Sequence, residues 1–172
     1  MISDKLNQAF NDQIGSELYS AHLYLSMAAY FESINLPGFA NWMRIQHQEE
    51  TIHALKLFDY VNQRNGRVVL NAIDQPRVDF ESVRAAVMTA LDHERSVSSL
   101  INSLYEVSSK EKDYAAEVLL EWFINEQVEE EKSVTDIVDQ LDLIGDNGTG
   151  LMILDDKLAS RVLVSANGGQ PV

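Results

Sequence analysis

Along four stretches of the chain, apolar residues recur at alternating spacings of three and four. The first stripe reads Phe10, Ile14, Glu17, Ala21, Tyr24, Ala28, Phe31, and the second Phe39, Met43, Gln46, Glu50, His53, Leu57, Tyr60. The third reads Val83, Val87, Ala90, Glu94, Val97, Ile101, Leu104, and the fourth Ala116, Leu120, Phe123, Gln127, Glu130, Val134, Ile137, Leu141. This spacing puts each set on one face of a helix, the face that a core must bury. Breakers separate the stripes: Asn35-Leu36-Pro37-Gly38, a helix C-cap at Asn65-Gly66, a polar stretch from near Arg67 to Pro76, a soft break at Ser108-Ser109-Lys110, and Gly145 to Gly150. The pattern predicts helices over roughly 4–33, 38–65, 79–107 and 112–143, and a shorter amphipathic piece at about 153–164.

Four such helices make an all-α four-helix bundle. The links between the first and second helices, and between the third and fourth, are short, so each pair is expected to be antiparallel. The link from Arg67 to about Val78 can extend roughly 36 Å at about 3.3 Å per residue. A 28-residue helix is about 42 Å long. This link can therefore cross over most of the bundle's length and leave the second and third helices parallel. Residues 1–164 read as one domain, with the short piece as a fifth helix, and 165–172 as a loose Gly-Gly tail.

Composition narrows the chemistry. The chain has 172 residues, 45% of them hydrophobic, a net charge of -14 and no cysteine. It is too apolar for a disordered acidic tail. The charge argues against nucleic acid and anionic membranes as partners, and the missing cysteines remove zinc fingers, iron–sulfur clusters, thiol catalysis and disulfides. No stretch has the uninterrupted apolar length of a membrane span. Met-Ile-Ser-Asp-Lys begins no signal peptide, so a cytoplasmic protein is expected. Residues 111–142 hold 11 acids against Lys112 and Lys132, which places -9 of the -14 in the fourth helix segment. Cations are the partners this balance permits.

Each stripe is interrupted by a glutamate near the middle of its helix: Glu17, Glu50, Glu94 and Glu130. A midpoint stays a midpoint whichever way a helix runs, so the four carboxylates are expected in one layer of the core, with His53 and Gln127 beside them. Burying even one ionised carboxylate without compensation costs many kcal/mol, and the stripes contain no Lys or Arg. The carboxylates are therefore protonated, or face wet space, or bind cations. Two divalent ions would balance four glutamates, and carboxylate oxygen with one imidazole suits iron or manganese, with zinc as a competitor. Glu50-x-x-His53 places two ligands one turn apart on one face. A lone Glu-x-x-His is common by chance, and a single Glu in a stripe usually reaches solvent; four at one level are not explained that way.

These residues carry a resemblance to the bacterial non-haem ferritins over nearly the whole length. Its most specific parts are Glu17-Leu-Tyr-Ser, Gln48-Glu-Glu-x-x-His53, Glu94 and Glu126-Gln-x-Glu-Glu-Glu-Lys132. The resemblance implies a ferroxidase centre in which Glu17, Glu50 and His53 hold one iron. Glu50 would bridge, and Glu94 and Glu130 would hold the second iron with Gln127 nearby. It further implies a third acidic site of Glu49, Glu126 and Glu129 with Glu130 shared, Tyr24 as an electron donor, and a 24-subunit homo-oligomeric shell storing ferric mineral, with the short helix at the fourfold axes. Fe(II) and O2 or H2O2 would be the reactants. The fourth helix departs from the symmetric di-iron pattern, offering Gln127-x-x-Glu130 in place of a second Glu-x-x-His. The second iron then gains no imidazole and is held less firmly, which favours release to storage. Bacterioferritin is similar in fold but has a haem-ligating Met where this chain has Thr51, and Ile52 cannot ligate, so no haem is expected. Rubrerythrin's added iron site needs cysteines that are absent.

Other residues have plainer readings beside the functional one. Glu49, Glu126 and Glu129 also read as solvated helix faces. Glu117 and Glu121 match the region lining threefold channels in ferritin shells, yet exposed helix charge accounts for them equally. Tyr24 and Trp122 are first of all large bundle residues, and His22, His47 and His93 are assigned no role. Two rival functions stand: a soluble di-iron oxidase that retains its irons, and a structural bundle that binds no redox metal.

Overall fold

The computed structural model describes residues 2–163. They form five helices: α1 (Asp4–Ser33), α2 (Pro37–Gln63), α3 (Val83–Glu111), α4 (Tyr114–Ile144) and α5 (Gly148–Ala159). Among the described residues there is no strand, and no helix is long and apolar enough to cross a membrane. The expected tail at 165–172 lies outside the described residues. The four long stripes became four long helices because each buries its striped face against the others.

Local chemistry sets the ends. Side chains of Ser3, Ser82 and Asp113 accept from the backbone N–H groups of Leu6, Ala85 and Ala116, capping α1, α3 and α4. Asn35, Asn65 and Lys112 take left-handed conformations (φ 60°, 56° and 56°) where the chain leaves α1, α2 and α3. Three expected boundaries moved. The third helix begins at Val83 rather than 79, because the carbonyls of Asp79 and Phe80 are used by Arg77 Nε and Tyr30 OH. The break expected at Ser108-Ser109-Lys110 is helical, and the turn falls at Lys112. The fifth helix spans Gly148–Ala159 instead of about 153–164, since the Asn147 side chain accepts from Thr149 N and Gly150 N and so turns the glycine-rich break into a first turn.

The crossover follows α1 from end to end. Near the start of α1, the side chains of Asn7 and Asn11 donate to Arg67 O (3.2 and 3.0 Å), and Val69 N donates to Asn11 Oδ1 at 2.7 Å. Near its end, Ser26 Oγ donates to Arg77 O (2.9 Å) and Tyr30 OH to Phe80 O (3.2 Å). Residues 7 and 30 lie about 35 Å apart along a helix. The link thus returns the chain to the end of the bundle where α2 began, and α3 runs parallel to α2.

The core is two apolar clusters. One gathers Leu23, Tyr24, Met27, Phe31, Phe39, Met43, Val87, Leu91, Val134 and Ile137, reaching Leu154 and Leu158 of α5. The other gathers Leu6, Phe10, Ile14, Leu57, Val61, Val97, Ile101, Leu120 and Phe123. On every long helix the handover between clusters falls at the same kind of place: between Ile14 and Leu23, Met43 and Leu57, Leu91 and Val97, and Phe123 and Val134. Those four gaps hold most of the buried polar residues of the bundle, including all four glutamates.

Candidate metal centre

The polar layer contains Glu17, Ser20, Gln46, Glu50, His53, Glu94, Gln127 and Glu130, all buried. A stripe that must stay continuous to build a core is interrupted by a glutamate on every long helix, and the four glutamates meet. Ligand atoms of Glu17, Glu50 and His53 lie within 4.8 Å of one another, and so do those of His53, Glu126 and Glu130. His53 is common to both groupings. Glu94 stands in neither. Its oxygens are occupied: Tyr24 OH donates to Oε1 in a short hydrogen bond, and Gln127 Nε2 to Oε2 at 3.1 Å.

The remaining hydrogen bonds are unevenly shared. Gln13 Nε2 donates to Glu17 Oε1 (2.8 Å), and Gln46 Nε2 to Glu130 Oε2 (2.7 Å). Glu17 Oε2 and both oxygens of Glu50 are buried with no donor from any other described residue, and the two carboxyls can satisfy one another only by sharing a proton. A buried carboxylate in that state is costly unless a proton or a cation joins it. Burial raises all four carboxyls: Glu17 to about 7, Glu130 to about 8, and Glu50 and Glu94 in the same direction. The neighbouring carboxylates add to the rise at Glu50 and Glu130. Burial, helped by the charge of Lys56, lowers His53 to about 4, so its imidazole is neutral at pH 7 and free to ligate. Its ring is held edge-on by Trp122 and Phe123 at 5.5 and 5.9 Å. Nδ1 of His53 is 3.5 Å from Glu50 Oε2. Three carboxylate oxygens without a donor, beside one neutral imidazole, fit a divalent transition metal.

Outside this layer the acidic neighbours diverge. Glu49 is half-buried and its Oε2 accepts from Arg161 Nη2 at 2.7 Å. Glu126 is half-buried and Glu129 exposed. Burial raises Glu49 and Glu126, with Arg161 opposing at the first and Lys56 at the second. The structure thus brings Glu126 to Glu130 and His53, while Glu49 is joined to a cation of the chain itself. Glu117 is half-buried, Glu121 exposed, and Trp122 lies under Lys56 Nζ at 3.4 Å. His22 is exposed, and His47 Nδ1 contacts Ala21 O at 2.8 Å.

Several participants were invisible as site residues in the sequence. Gln46 lies in the stripe and has no acid's charge to betray it. Ser20 is buried and meets His93 Nε2 at 2.7 Å; burial lowers His93 to about 4. Arg161 follows the fifth helix and gives no periodic signal. Gln13 could have been found, one turn before Glu17.

Comparisons with known proteins agree on a family. Residues 7–144 match the ferritin-like domain. A bacterial non-heme ferritin of Bacteroides fragilis is 40% identical over 161 residues, covering 94% of this chain and 100% of the relative. A probable bacterial non-heme ferritin-like protein of Haemophilus influenzae is 36% identical over 160 residues, covering 93% and 97%. Among solved structures, an open-pore ferritin from the archaeon Archaeoglobus fulgidus superposes with a TM-score of 0.92 at 49% identity, covering 93% of this chain and 98% of the other. An engineered closed form of the same ferritin gives 0.94 at 48% identity, covering 95% and 100%.

Proposed function

Because the chain belongs to the ferritin-like domain family, we propose that it is an iron-storage ferroxidase. It takes up Fe(II) at the polar layer, oxidises it, and stores the product as ferric oxyhydroxide inside a homo-oligomeric shell. The observation that carries this reading is the cluster of bare oxygens, Glu17 Oε2 and both oxygens of Glu50, set beside a neutral His53.

Fe(II) is the substrate. Glu17, Glu50 and His53 receive the first ion. Glu130 receives the second together with Glu94, whose carboxylate exchanges part of its contact with Tyr24 and Gln127 for the ion. In the empty layer Glu130, raised to about 8, is mostly protonated near pH 7 and Glu17, raised to about 7, is about half protonated, so uptake of iron expels protons from them. With dioxygen, two Fe(II) give two electrons and two protons are consumed, yielding two Fe(III) and H2O2. With H2O2 as oxidant, the same two electrons and two protons yield two Fe(III) and two waters. Tyr24 supplies a further electron, a role supported by its phenolic proton facing Glu94. Gln46 and Gln13 hold Glu130 and Glu17 in place. The outer acids Glu49, Glu126 and Glu129, with Glu130 shared, form a third position through which iron leaves the centre. No haem has a place in this account.

Storage needs a cavity that one bundle cannot enclose. Large apolar side chains stand exposed on the link (Leu70, Ile73), at the start of α4 (Tyr114, Val118) and around α5 (Leu143, Met152, Ile153), and burial of such surface drives subunits together. A 24-subunit shell with α5 at the fourfold axes accounts for them.

Aerobic addition of Fe(II) in excess, followed by size analysis and iron counting, tests the reading. Many irons per chain in a large shell are expected. Two irons retained per chain in a small oligomer would replace storage with an oxidase acting on another substrate. Oxidation no faster than in buffer would leave a structural bundle.

A further inference from the structure

Glu49 and Arg161 are joined across α2 and the segment after α5, and both side chains are largely buried (19% and 24% exposed). The Arg161 guanidinium also lies over the Trp42 ring, 4.6 Å from its centroid. Its position is set by several other contacts. Asn41 Nδ2 donates to the carbonyls of Leu158, Ala159 and Arg161 (3.4, 3.3 and 3.1 Å), gripping the end of α5 and the turn beyond it. Asp155 of α5 accepts from Phe39 N at 2.9 Å. Glycine at position 38 is what lets α5 approach this closely, since a Cβ there would overlap the Asp155 backbone. Meanwhile Glu126 and Glu130 come together with His53, and Glu49 is outside that grouping.

We infer that Arg161 is a tethered counter-ion that holds Glu49 and thereby sets the metal affinity of the third position. The inference rests on the reading that Glu49 belongs to that position with Glu126 and Glu129. A divalent cation can use Glu49 only by displacing the guanidinium or by accepting its repulsion. The competitor is intramolecular, so it is present at high effective concentration whatever the solution holds. The charge-assisted bond it makes must be given up for the metal to bind. The consequence is a graded path: the inner layer fills first, and the outer position binds weakly and passes iron on. Arg161 acts through Glu49 and is a positioning residue.

Zn2+ titration calorimetry on the assembled full-length chain tests this, with Zn2+ as a redox-inert probe. Arg161→Met keeps an apolar stem against Trp42 and removes the charge; Arg161→Lys keeps a cation. In Arg161→Met the third Zn2+ is expected to bind about tenfold tighter or more, the equilibrium counterpart of losing one charge-assisted hydrogen bond. The inner two sites should be unchanged, Arg161→Lys should stay near the parent, and adding Glu49→Gln to Arg161→Met should erase the gain. A third affinity unchanged or weakened in Arg161→Met, while Glu49→Gln still weakens it in the parent, overturns the role of Arg161 alone. A purely structural arginine would lower thermal stability and leave that affinity where it was. If the double variant stays tight, or no third Zn2+ binds any variant, the third-position reading fails and takes this inference with it.

Discussion

Tyr24 on α1 hands its phenolic hydrogen to Glu94 on α3, in the layer where the two apolar clusters meet. Gln127 on α4 satisfies the other oxygen of the same carboxylate. Glu50, on α2, has neither oxygen satisfied. The polar layer is therefore lopsided. Around Glu94 the chain supplies its own donors, and around Glu50 it leaves the charge for something else to balance. A core built only for stability would not keep the second half.

Tyr24→Phe keeps the ring and removes the donor. The buried Glu94 Oε1 then loses its partner, and the metal-free protein should be destabilised by about 1.5–3 kcal/mol, the usual scale for a hydrogen bond to a charged group. Chemical denaturation with and without Zn2+ checks the interpretation. The deficit should shrink when the metal is present, because the metal then satisfies Glu94. A deficit of the same size in both conditions would show that Glu94 does not meet the metal.

Glu50→Ala and His53→Ala should each slow initial Fe(II) oxidation by about a hundredfold or more. Loss of a group that merely supports a ligand already costs about 10–100-fold. Stopped-flow absorbance of the ferric product measures the rate. Glu50→Ala carries a second expectation. It removes a buried carboxyl with no partner, so the metal-free variant should lose less stability than a cavity of that size usually costs. Unchanged oxidation rates in both variants would displace the site from this layer.

The pH dependence of the metal-free protein has a defined sign. Glu17 and Glu130 have folded-state values raised from 4.5 to about 7 and about 8. In that window the folded state binds more protons than the unfolded state, so stability is fully present below about pH 4.5 and is lost as pH rises through 7 to 8. His53 and His93, lowered from 6.5 to about 4, act oppositely. Their contribution is present above 6.5 and is lost as pH falls towards 4. From pH 6.5 to 8.5 only the carboxyl effect remains: the loss at Glu17, on the order of 3 kcal/mol between 4.5 and 7, is then nearly complete, and Glu130 carries it on up to about 8. Thermal unfolding across that range should show a falling midpoint, flattened by Zn2+, which replaces the protons. A midpoint that rises with pH would mean the four carboxyls are not buried as a group.

Much of this is legible in the sequence alone. A glutamate in the middle of each apolar stripe can be seen because helix periodicity is regular over thirty residues, and midpoints coincide in any antiparallel or parallel arrangement. The crossover was also legible, since only a long link allows α2 and α3 to run the same way. What escaped depends on contacts between distant segments. The start of α3 moved to Val83 because Tyr30 claims a carbonyl of the link, and no local propensity records that. The occupation of Glu94 by Tyr24 and Gln127 needed side-chain directions from three helices. Arg161 reaches Glu49 across 112 positions of sequence only because α5 docks where it does.

That docking can be tested through the helix it caps. Leu36 stands at the N-cap of α2 and supplies no side-chain acceptor, so the first turn has backbone N–H groups without partners of its own. Asp155 fills the gap from α5, accepting from Phe39 N inside a buried contact and placing a negative charge at the positive end of the helix. Asp155→Ala should therefore cost about 1–2 kcal/mol, as loss of an N-cap does, and Asp155→Asn less, since its amide oxygen can still accept. Gly38→Ala should cost more than either, because the added methyl meets the Asp155 backbone rather than a movable side chain. If α5 is what delivers Arg161, Gly38→Ala should also tighten the third Zn2+ while leaving the inner pair and the initial iron oxidation rate unchanged. A Gly38→Ala protein with full stability would mean that α5 does not pack against the start of α2, and the cap and the arginine would both lose their support.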